Sequence, residues 1–586
     1  MGKVVDFLKK ILLFQEPKEP AEGFILKEYK EGSNEKSNNQ PNQKSDQQDD
    51  SEKTESQTGM KQPVKLENQK SKSEKETKQN PAQTNKVSPN LDENLAFLKD
   101  KYSIPLSTDV MTREFDITLE KKTYKAFIIF IDGITDKKVI NEDILQPLLL
   151  LTSLEKSGEV KDIITYLERN VIPQNQLKKS EEFPKILASI NFGECVLFVN
   201  GAAQALIFDV KSWEHRTVTR PVTEIAIRGP QEGFGETVRA NTALIRKSLK
   251  NENLVIESLT IGQRSRTPCS IMYLKDLSNP NLVEEVRRRL NSLQLDYAND
   301  SGIVEQLIED NAFLLVPQLI ATERPDRVSS MLSEGKVAIL VDGNPFVLVA
   351  PNTFFDLMHS PEDSYLRFPY GNLLRIVRYF ALLSALLLPG LYVAITTYHH
   401  EMIPTDLLLA ISGAREKVPF PTVIEILFME ISFELIREAG IRMPGSIGPT
   451  LGIIGALILG QAAVSANIVS PVLIIIVAVT GIGSLAAPNF SLGLAFRILR
   501  FGYIALGALA GLLGITLGLF VQVLFLASQK SFGVPFLAPF APKTSGWLQD
   551  VLNKLPVWMQ EKRPDYLNPL DKVRQPKISR GWTKKK

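Results

Sequence analysis

Acidic side chains recur at helical spacing within one apolar stretch of the sequence. Glu430, Glu434 and Glu438 follow one another every four residues, and Glu425 lies about 140° away around the same helix axis. A carboxylate at membrane depth is costly unless it is paired, protonated or in contact with water. We therefore predict an acidic amphipathic helix over residues 419–440, which lies at a membrane interface or turns its carboxylates towards a wet cavity or protein partners.

The residues around this helix are typical of a membrane domain. Residues 443–496 contain no Asp, Glu, Lys or Arg, and one helical span needs roughly 20 apolar residues. Together with the apolar runs on either side, they predict a membrane domain over residues 371–529. Four spans are expected, near 373–398, 447–466, 470–487 and 501–527. The segments that connect them contain Arg415, Lys417, Arg437, Arg497 and Arg500, of which Arg437 lies beside the carboxylates of the acidic helix.

One predicted span carries a stripe that differs from its other faces. Advancing 100° per residue along 447–466 places small residues on one face, and such faces let helices approach closely. Gln461 lies on the opposite side, where an amide in hydrocarbon would need a partner. We predict that this stripe lines a pore, closed by a hydrophobic constriction; the alternative is that Gln461 bonds to another helix. The small face comprises Gly448, Gly452, Ala456 and Gly460, and the stripe comprises Ile454, Ile458, Gln461 and Ser465.

Catalytic and metal chemistry find little support in the sequence. It has two cysteines, Cys195 and Cys269, and four histidines, so neither a disulfide framework nor a metal site is expected. The glycines of residues 228–241 match neither the dinucleotide nor the phosphate-loop spacing. The arginines near them, Arg228, Arg239 and Arg246, are interpreted as a solvated or subdomain-contact face. We therefore expect no enzyme and no cofactor, and the net charge of +2 gives no reason to expect nucleic acid.

The chain divides by composition into four parts. Residues 1–90 read as a disordered polar tail, because they contain too few large apolar side chains to offset chain entropy. Residues 91–370 alternate predicted strands and helices, and residues 530–586 form a C-terminal tail. The fold class is α+β: a soluble N-terminal α/β unit of two subdomains, followed by an α-helical polytopic membrane domain.

Two hairpins in the α/β unit have the same plan. Residues 194–210 and 336–350 each contain an apolar strand, an Asn-Gly or Asp-Gly turn and a returning strand. Because such turns are common in hairpins, we favour ordinary hairpin chemistry over an internal repeat. The topology follows from the span count: four spans put residues 1–370 and 530–586 on one side, and without a leading signal sequence that side is expected to be the cytoplasm.

Several long segments resemble the A subunits of bacterial spore germinant receptors, the GerA family. The resemblance covers most of the chain after about residue 95, and it lies in four runs: 228–249, RGPQEGFGETVRANTALIRKSL; 337–357, VAILVDGNPFVLVAPNTFFDL; 419–471, PFPTVIEILFMEISFELIREAGIRMPGSIGPTLGIIGALILGQAAVSANIVSP; and 562–574, KRPDYLNPLDKVR.

The resemblance implies a subunit of a spore inner-membrane complex. Such a chain would act with a transporter-like B subunit and a lipoprotein C subunit, and would form an oligomeric germinant-gated ion channel that triggers germination. A component of a secondary transporter remains the alternative, since intramembrane carboxylates and broken helices occur there too. The membrane lipid is the remaining expected partner.

Overall fold

The computed structural model describes most of the chain after residue 85. The described residues are 24, 26–28, 86–119, 122–151, 162–174, 176–212, 221, 223–442, 455, 458–544, 551 and 553–576. Most of the predicted tail (residues 1–23, 25 and 29–85) and three small-face residues, Gly448, Gly452 and Ala456, lie outside them, as does the predicted constriction residue Ile454.

The first subdomain is a five-stranded antiparallel sheet flanked by helices. Its strands lie in the order β1-β2-β4-β5-β3, and the apolar side chains of β2, β4 and β5 are buried on both faces. Its elements are α1 (Leu91–Lys101), β1 (Val110–Leu119), β2 (Lys122–Ile131), α2 (Lys137–Val139, continued by wider turns at Ile140–Leu145 and Pro147–Leu151), α3 (Ile163–Tyr166, continued by Leu167–Val171), β3 (Leu177–Ser180), α4 (Phe183–Asn191), β4 (Cys195–Val199) and β5 (Ala205–Phe208).

The second subdomain repeats this plan with a second five-stranded sheet. Its strands lie in the order β6-β7-β9-β10-β8. Its elements are α5 (Val238–Ser248), β6 (Leu254–Ile261), β7 (Thr267–Leu274), α6 (Pro280–Asn291), α7 (Ser301–Ile308), β8 (Ile320–Thr322), α8 (Pro325–Leu332), β9 (Val337–Val341), β10 (Val347–Ala350), α9 (Phe354–Met358) and α10 (Glu362–Tyr365).

The two sheets have the same strand order, which corrects the interpretation of the paired hairpins. β4-β5 and β9-β10 occupy equivalent places, each preceded by a helix and a glycine with positive φ, Gly193 (+93°) and Gly335 (+100°). The hairpin turns also match, with Gly201 at +85° and Gly343 at +88°. An internal structural repeat therefore explains the shared plan better than hairpin chemistry alone.

Charged residues join the two subdomains. Arg246, which is buried, donates from Nε to Asp109 Oδ2 at 2.8 Å, and Arg239 Nη2 lies 2.6 Å from Asp132 Oδ1. Arg228 is exposed. Arg239 and Arg246 thus form subdomain contacts, as one of the two sequence interpretations expected.

The helices that follow form a bundle of alternating direction. α11 (Phe368–Tyr398) leaves the second sheet, and its far end carries α12 (Thr405–Arg415). α13 (Thr422–Arg442) and α15 (Pro471–Leu485) both run back towards the sheets. They are parallel, since Ser470 and Glu425 form a hydrogen bond near the start of both helices, and Ser484 and Arg437 form one near their ends. Residues 458–465, here α14, run the opposite way, because Gly460 faces Ile474. Last comes α16 (Phe490–Ser528).

The long helix α16 is folded in half at Gly511. This residue has φ 59° and ψ −140°, a combination open essentially to glycine. Tyr503 hydrogen-bonds Gln522 across the fold, although 19 residues of straight helix would separate them by about 28 Å. The predicted span over 501–527 therefore turns back on itself at Gly511, and the glycines near the turn let the two halves pack closely. By length and composition, α11 and α16 are the helices among the described residues suited to cross a membrane.

Residues 26–28 and the described residues after 529 contact the second subdomain. β11 (Lys530–Ser531) and β12 (Val534–Pro535) form a small hairpin against it, and short turns of helix follow at Val557–Met559 and Asp565–Leu567. Residues 26–28, within the predicted tail, also belong to the fold: Asn568 Nδ2 donates to Leu26 O at 3.0 Å, and Asn279 Nδ2 to Lys27 O at 2.9 Å.

Candidate functional site: a charged cluster inside the helix bundle

Helix α13 carries the predicted acidic residues, and their exposure changes along it. Glu425 and Glu430 are buried, Glu434 is half-buried and Glu438 is exposed. The apolar residues Ile426 and Met429 are buried beside them in a cluster with residues of α11 and α15. The helix thus packs inside the bundle along its first half, which favours an internal helix over a purely interfacial one.

Glu430 forms a fully buried ion pair with Arg500 of α16. Glu430 Oε2 lies 3.1 Å from Arg500 Nη1, and neither side chain is exposed. The two atoms are close but not aligned as a hydrogen bond. Thr480 of α15 donates to the other carboxylate oxygen, Oε1, at 3.3 Å. One carboxylate therefore joins three helices: α13, α15 and α16.

Glu434 lies one turn further along and contacts three guanidinium groups. Arg437 Nη1, Arg497 Nη1 and Arg500 Nη2 lie 3.2, 3.1 and 3.1 Å from its carboxylate oxygens. Arg437 also donates to Ser484 Oγ of α15 at 2.9 Å. We call these two carboxylates and three guanidinium groups the charged cluster.

Glu425 makes a separate contact at the far end of the bundle. Its Oε2 accepts a hydrogen bond from the backbone N–H of Ser470 at 3.0 Å, just before α15 begins at Pro471. This N–H would otherwise be an unpaired donor at the start of a helix. Arg415 Nε of α12 lies 3.5 Å from Glu425 Oε1. Glu425 therefore ties the ends of α12 and α15 to α13 and does not belong to the charged cluster.

Sequence reasoning missed two members of the charged cluster. Arg497 and Arg500 were expected in a loop, but both lie within α16, and Arg500 is fully buried. Arg437 lies inside α13, beside the carboxylates of the predicted acidic helix. Two signals were available. Carboxylates in an otherwise apolar segment need charge partners, and Arg497 and Arg500 are three residues apart and so share one helix face.

The predicted pore stripe lies on an uncovered side of α14. Ile458, Gln461 and Ser465 are all exposed, whereas Gly460 and Ala463 on the other side are buried. A Cβ added at Gly460 would lie 3.6 Å from Ile474 of α15, in ordinary contact. Among the described residues, no other helix covers the side chains of Ile458, Gln461 and Ser465.

The arrangement is suited to mechanical coupling more than to bond chemistry. Within the described ranges, no group of three or more His, Cys, Asp or Glu side chains could hold a metal ion. Every member of the charged cluster contacts a group on another helix or on the next turn. Because an uncompensated buried charge is costly, displacing α13, α15 or α16 on its own would be strongly opposed.

Comparisons with known proteins identify the family. The profile of the family described as Bacillus/Clostridium GerA spore germination protein matches residues 96–566. Spore germination protein KA of Bacillus subtilis is 39% identical over 506 residues, which are 85% of this chain and 92% of that protein. The uncharacterized membrane protein YfkQ of the same organism is 39% identical over 478 residues, 82% of this chain and 91% of that protein.

One solved structure is also similar. The crystal structure of the N-terminal domain of the A subunit of the Bacillus megaterium spore germinant receptor GerK3 is 30% identical, covers 46% of this chain and 97% of that one, and gives a TM-score of 0.37. The family profile spans most of the chain, and the first two relatives are matched over nearly their whole length. The chain therefore belongs to the GerA family of spore germination proteins.

Proposed function

We propose that this chain is the A subunit of a spore germinant receptor and that several copies form a germinant-gated ion channel in the spore inner membrane. One observation carries the channel: α14 presents Gln461 and Ser465 on its uncovered side. In hydrocarbon these polar groups would lack partners, whereas in a ring of subunits they would face water along a central axis. Ile458 beside them would then form the constriction.

The bundle would be the membrane domain, over residues 371–529. In place of the four spans and one acidic helix predicted from the sequence, six alternating passes would then cross the layer: α11, α13, the predicted span over 447–466 that contains α14, α15 and the two halves of α16. Residues 91–370 and 530–586 would lie on the same side. The contact of β11 and β12 with the second subdomain supports this arrangement. We place that side in the cytoplasm. The halves of α16, at about 31 and 26 Å, suit a hydrocarbon layer of about 30 Å.

In this function the charged cluster would hold the closed bundle together. A germinant signal, received through a transporter-like B subunit with a lipoprotein C subunit, would reach α14 through its neighbours α13 and α15. The chain would do no catalysis and need no cofactor.

Ion flux from vesicles tests the proposal. The full chain is reconstituted with its B and C subunits in potassium-loaded vesicles, and release is followed on adding a panel of amino acids, sugars and nucleosides. We expect release with at least one compound, and none from vesicles holding only the B and C subunits. Saturable uptake of a compound without potassium release would favour the transporter alternative, and an inert complete complex would contradict both.

A further inference from the structure

The loop after α7 presents an unusually exposed aromatic side chain. Phe313 is 95% exposed and Leu315 is 45% exposed. The loop nevertheless has a defined turn, because Asn311 Oδ1 accepts from the Phe313 N–H at 3.1 Å and Asn311 O accepts from the Leu314 N–H at 3.1 Å. An exposed Phe side chain forgoes the free energy gained when apolar surface leaves water, so this conformation points to a ligand that covers it.

The base of this loop is fastened to the end of α16. Asn311 Nδ2 donates to Gln529 Oε1 at 2.9 Å, and Gln529 directly follows the last residue of the helix. Asp310 Oδ2 accepts from the Phe532 N–H at 2.7 Å. One turn before Gln529, about 6 Å along the axis, Phe525 is still 45% exposed. The loop therefore lies where the exposed apolar surface of a membrane-capable helix ends.

The acidic residues next to the loop are engaged by the protein. Glu309 Oε1 accepts from the Gln318 N–H at 3.1 Å, and Asp310 Oδ1 lies 2.6 Å from Arg289 Nη2. Their charge is thus directed towards donors of the second subdomain, and the loop itself, Ala312 to Leu315, is uncharged.

We propose that this loop is a lipid anchor: Phe313 and Leu315 insert into the boundary between headgroups and acyl chains beside the end of α16. Aromatic side chains favour this depth. The inference rests on the membrane placement in the proposed function. It adds a second attachment of the soluble subdomain to the bilayer, which would limit its tilt relative to the helices.

A fluorescent label at single positions tests the anchor. Cys195 and Cys269 are both buried, so an environment-sensitive dye attached to F313C in the full chain reports from one site. The matched controls are Y297C, which is 62% exposed by the β6-β7 turn at the other end of the sheet, and F520C, which is 63% exposed on α16. Each protein is reconstituted in vesicles whose lipids carry a nitroxide near the headgroup. Iodide, the aqueous quencher, is added to permeabilised or inverted vesicles, so that it reaches the side on which the soluble subdomains lie.

We expect the label at position 313 to lose most of its emission to the nitroxide lipid and to resist iodide. The label at position 297 should show the reverse. The label at position 520, about 12 Å along the helix from its end, should also resist iodide but lose less emission to a nitroxide held near the headgroup. Free access of iodide to position 313 would overturn the anchor, and so would protection from both quenchers, which would indicate a protein partner such as a second copy. If position 520 is also open to iodide and not quenched by lipid, the membrane placement fails together with the anchor.

Discussion

Glu430 on α13 and Arg500 on α16 form an ion pair that is wholly enclosed by the helix bundle, with 3.1 Å between Oε2 and Nη1. They are 70 residues apart in the sequence. The pair is therefore a tertiary contact. It fixes the rotation of α13 relative to α16, because rotating either helix about its axis would leave a buried charge unpaired in apolar surroundings.

Removing one member of this pair should destabilise the chain strongly. Glu430→Leu leaves Arg500 with Glu434 alone, and losing one partner of a buried pair costs about 3 to 5 kcal/mol. We expect a lower unfolding temperature of the detergent-solubilised complex and less protein in spore membranes. Thermal unfolding followed by size-exclusion chromatography measures the first, and immunoblotting the second.

Two further variants separate charge from packing. Glu416→Leu makes the same change at an exposed position and should leave both readouts near wild type. The double variant Glu430→Leu, Arg500→Leu removes both charges and should recover much of the lost stability, since apolar residues often replace a buried pair at little cost. A double variant as unstable as the sum of its single variants would contradict the pairing.

The sequence predicted features that depend on neighbouring residues and missed those that depend on distant ones. Asn200-Gly201 and Asp342-Gly343 indicated their hairpins because the turn chemistry is local. The repeat of the two subdomains was considered from the sequence but not favoured, because the repeat lies in the strand order and the two hairpins share few residues. Arg500 was missed for the same reason: its partner lies on another helix, and an arginine beside an apolar run also suits a membrane boundary.

The fold of α16 at Gly511 was missed for a different reason. Hydropathy is the same for one straight helix and for two antiparallel halves, so it predicts apolar length and not direction. The signal was the glycine series at positions 507, 511, 514 and 518, which permits close helix packing but does not by itself require a turn.

Replacing Gly511 should open this fold. A Cβ at position 511 would lie 2.8 Å from His399 Cε1 and 3.2 Å from Tyr398 Cβ, and the backbone has φ +59°. With ψ at −140°, this backbone conformation costs any residue other than glycine about 1 to 3 kcal/mol. We therefore expect Gly511→Ala to lower membrane abundance and to raise protease sensitivity at the far end of α11. Limited proteolysis of inverted and intact vesicles measures this.

The matched control is Gly502→Ala in the same helix. A Cβ there meets no atom within 4 Å, and alanine favours a helix over glycine by roughly 1 kcal/mol. Its abundance should equal or exceed that of wild type. If both variants behave alike, the fold at Gly511 does not govern stability.

Helix α7 should become less stable as the pH rises. Burial, with the neighbouring carboxylates Glu309 and Asp300, raises the pKa of Glu305 to about 8. Unfolded glutamate titrates near pH 4.3, so between about pH 4.3 and 8 the folded state binds more protons than the unfolded one, and stability falls as pH increases. Hydrogen–deuterium exchange over residues 301–308 should therefore show less protection at pH 9 than at pH 6, after correction for the intrinsic exchange rate.

Glu305→Gln should remove most of this pH dependence, because the amide does not ionise. The same change at Glu114, whose side chain is 64% exposed, should leave it intact. Equal protection of α7 at both pH values in the wild-type chain would contradict the assignment to Glu305.

Ile458 is the position at which the channel proposal is most directly tested. Its side chain is 62% exposed on the uncovered side of α14, and in the proposed ring it narrows a dry constriction. Replacing it by Ala would widen the passage and let water enter, so that ions pass even when no germinant is bound. We expect Ile458→Ala to release potassium from reconstituted vesicles, or to trigger germination of spores, without any germinant.

The control is the next residue, Leu459, which is half-buried on the side that packs within the bundle. Leu459→Ala should lower abundance, because it deletes packed methyl groups, but should not cause leak. Gln461→Leu removes the polar group of the stripe and should slow germinant-induced flux if that group lines a wet passage. If Ile458→Ala stays closed at normal abundance while Leu459→Ala leaks, the passage runs on the other face of α14.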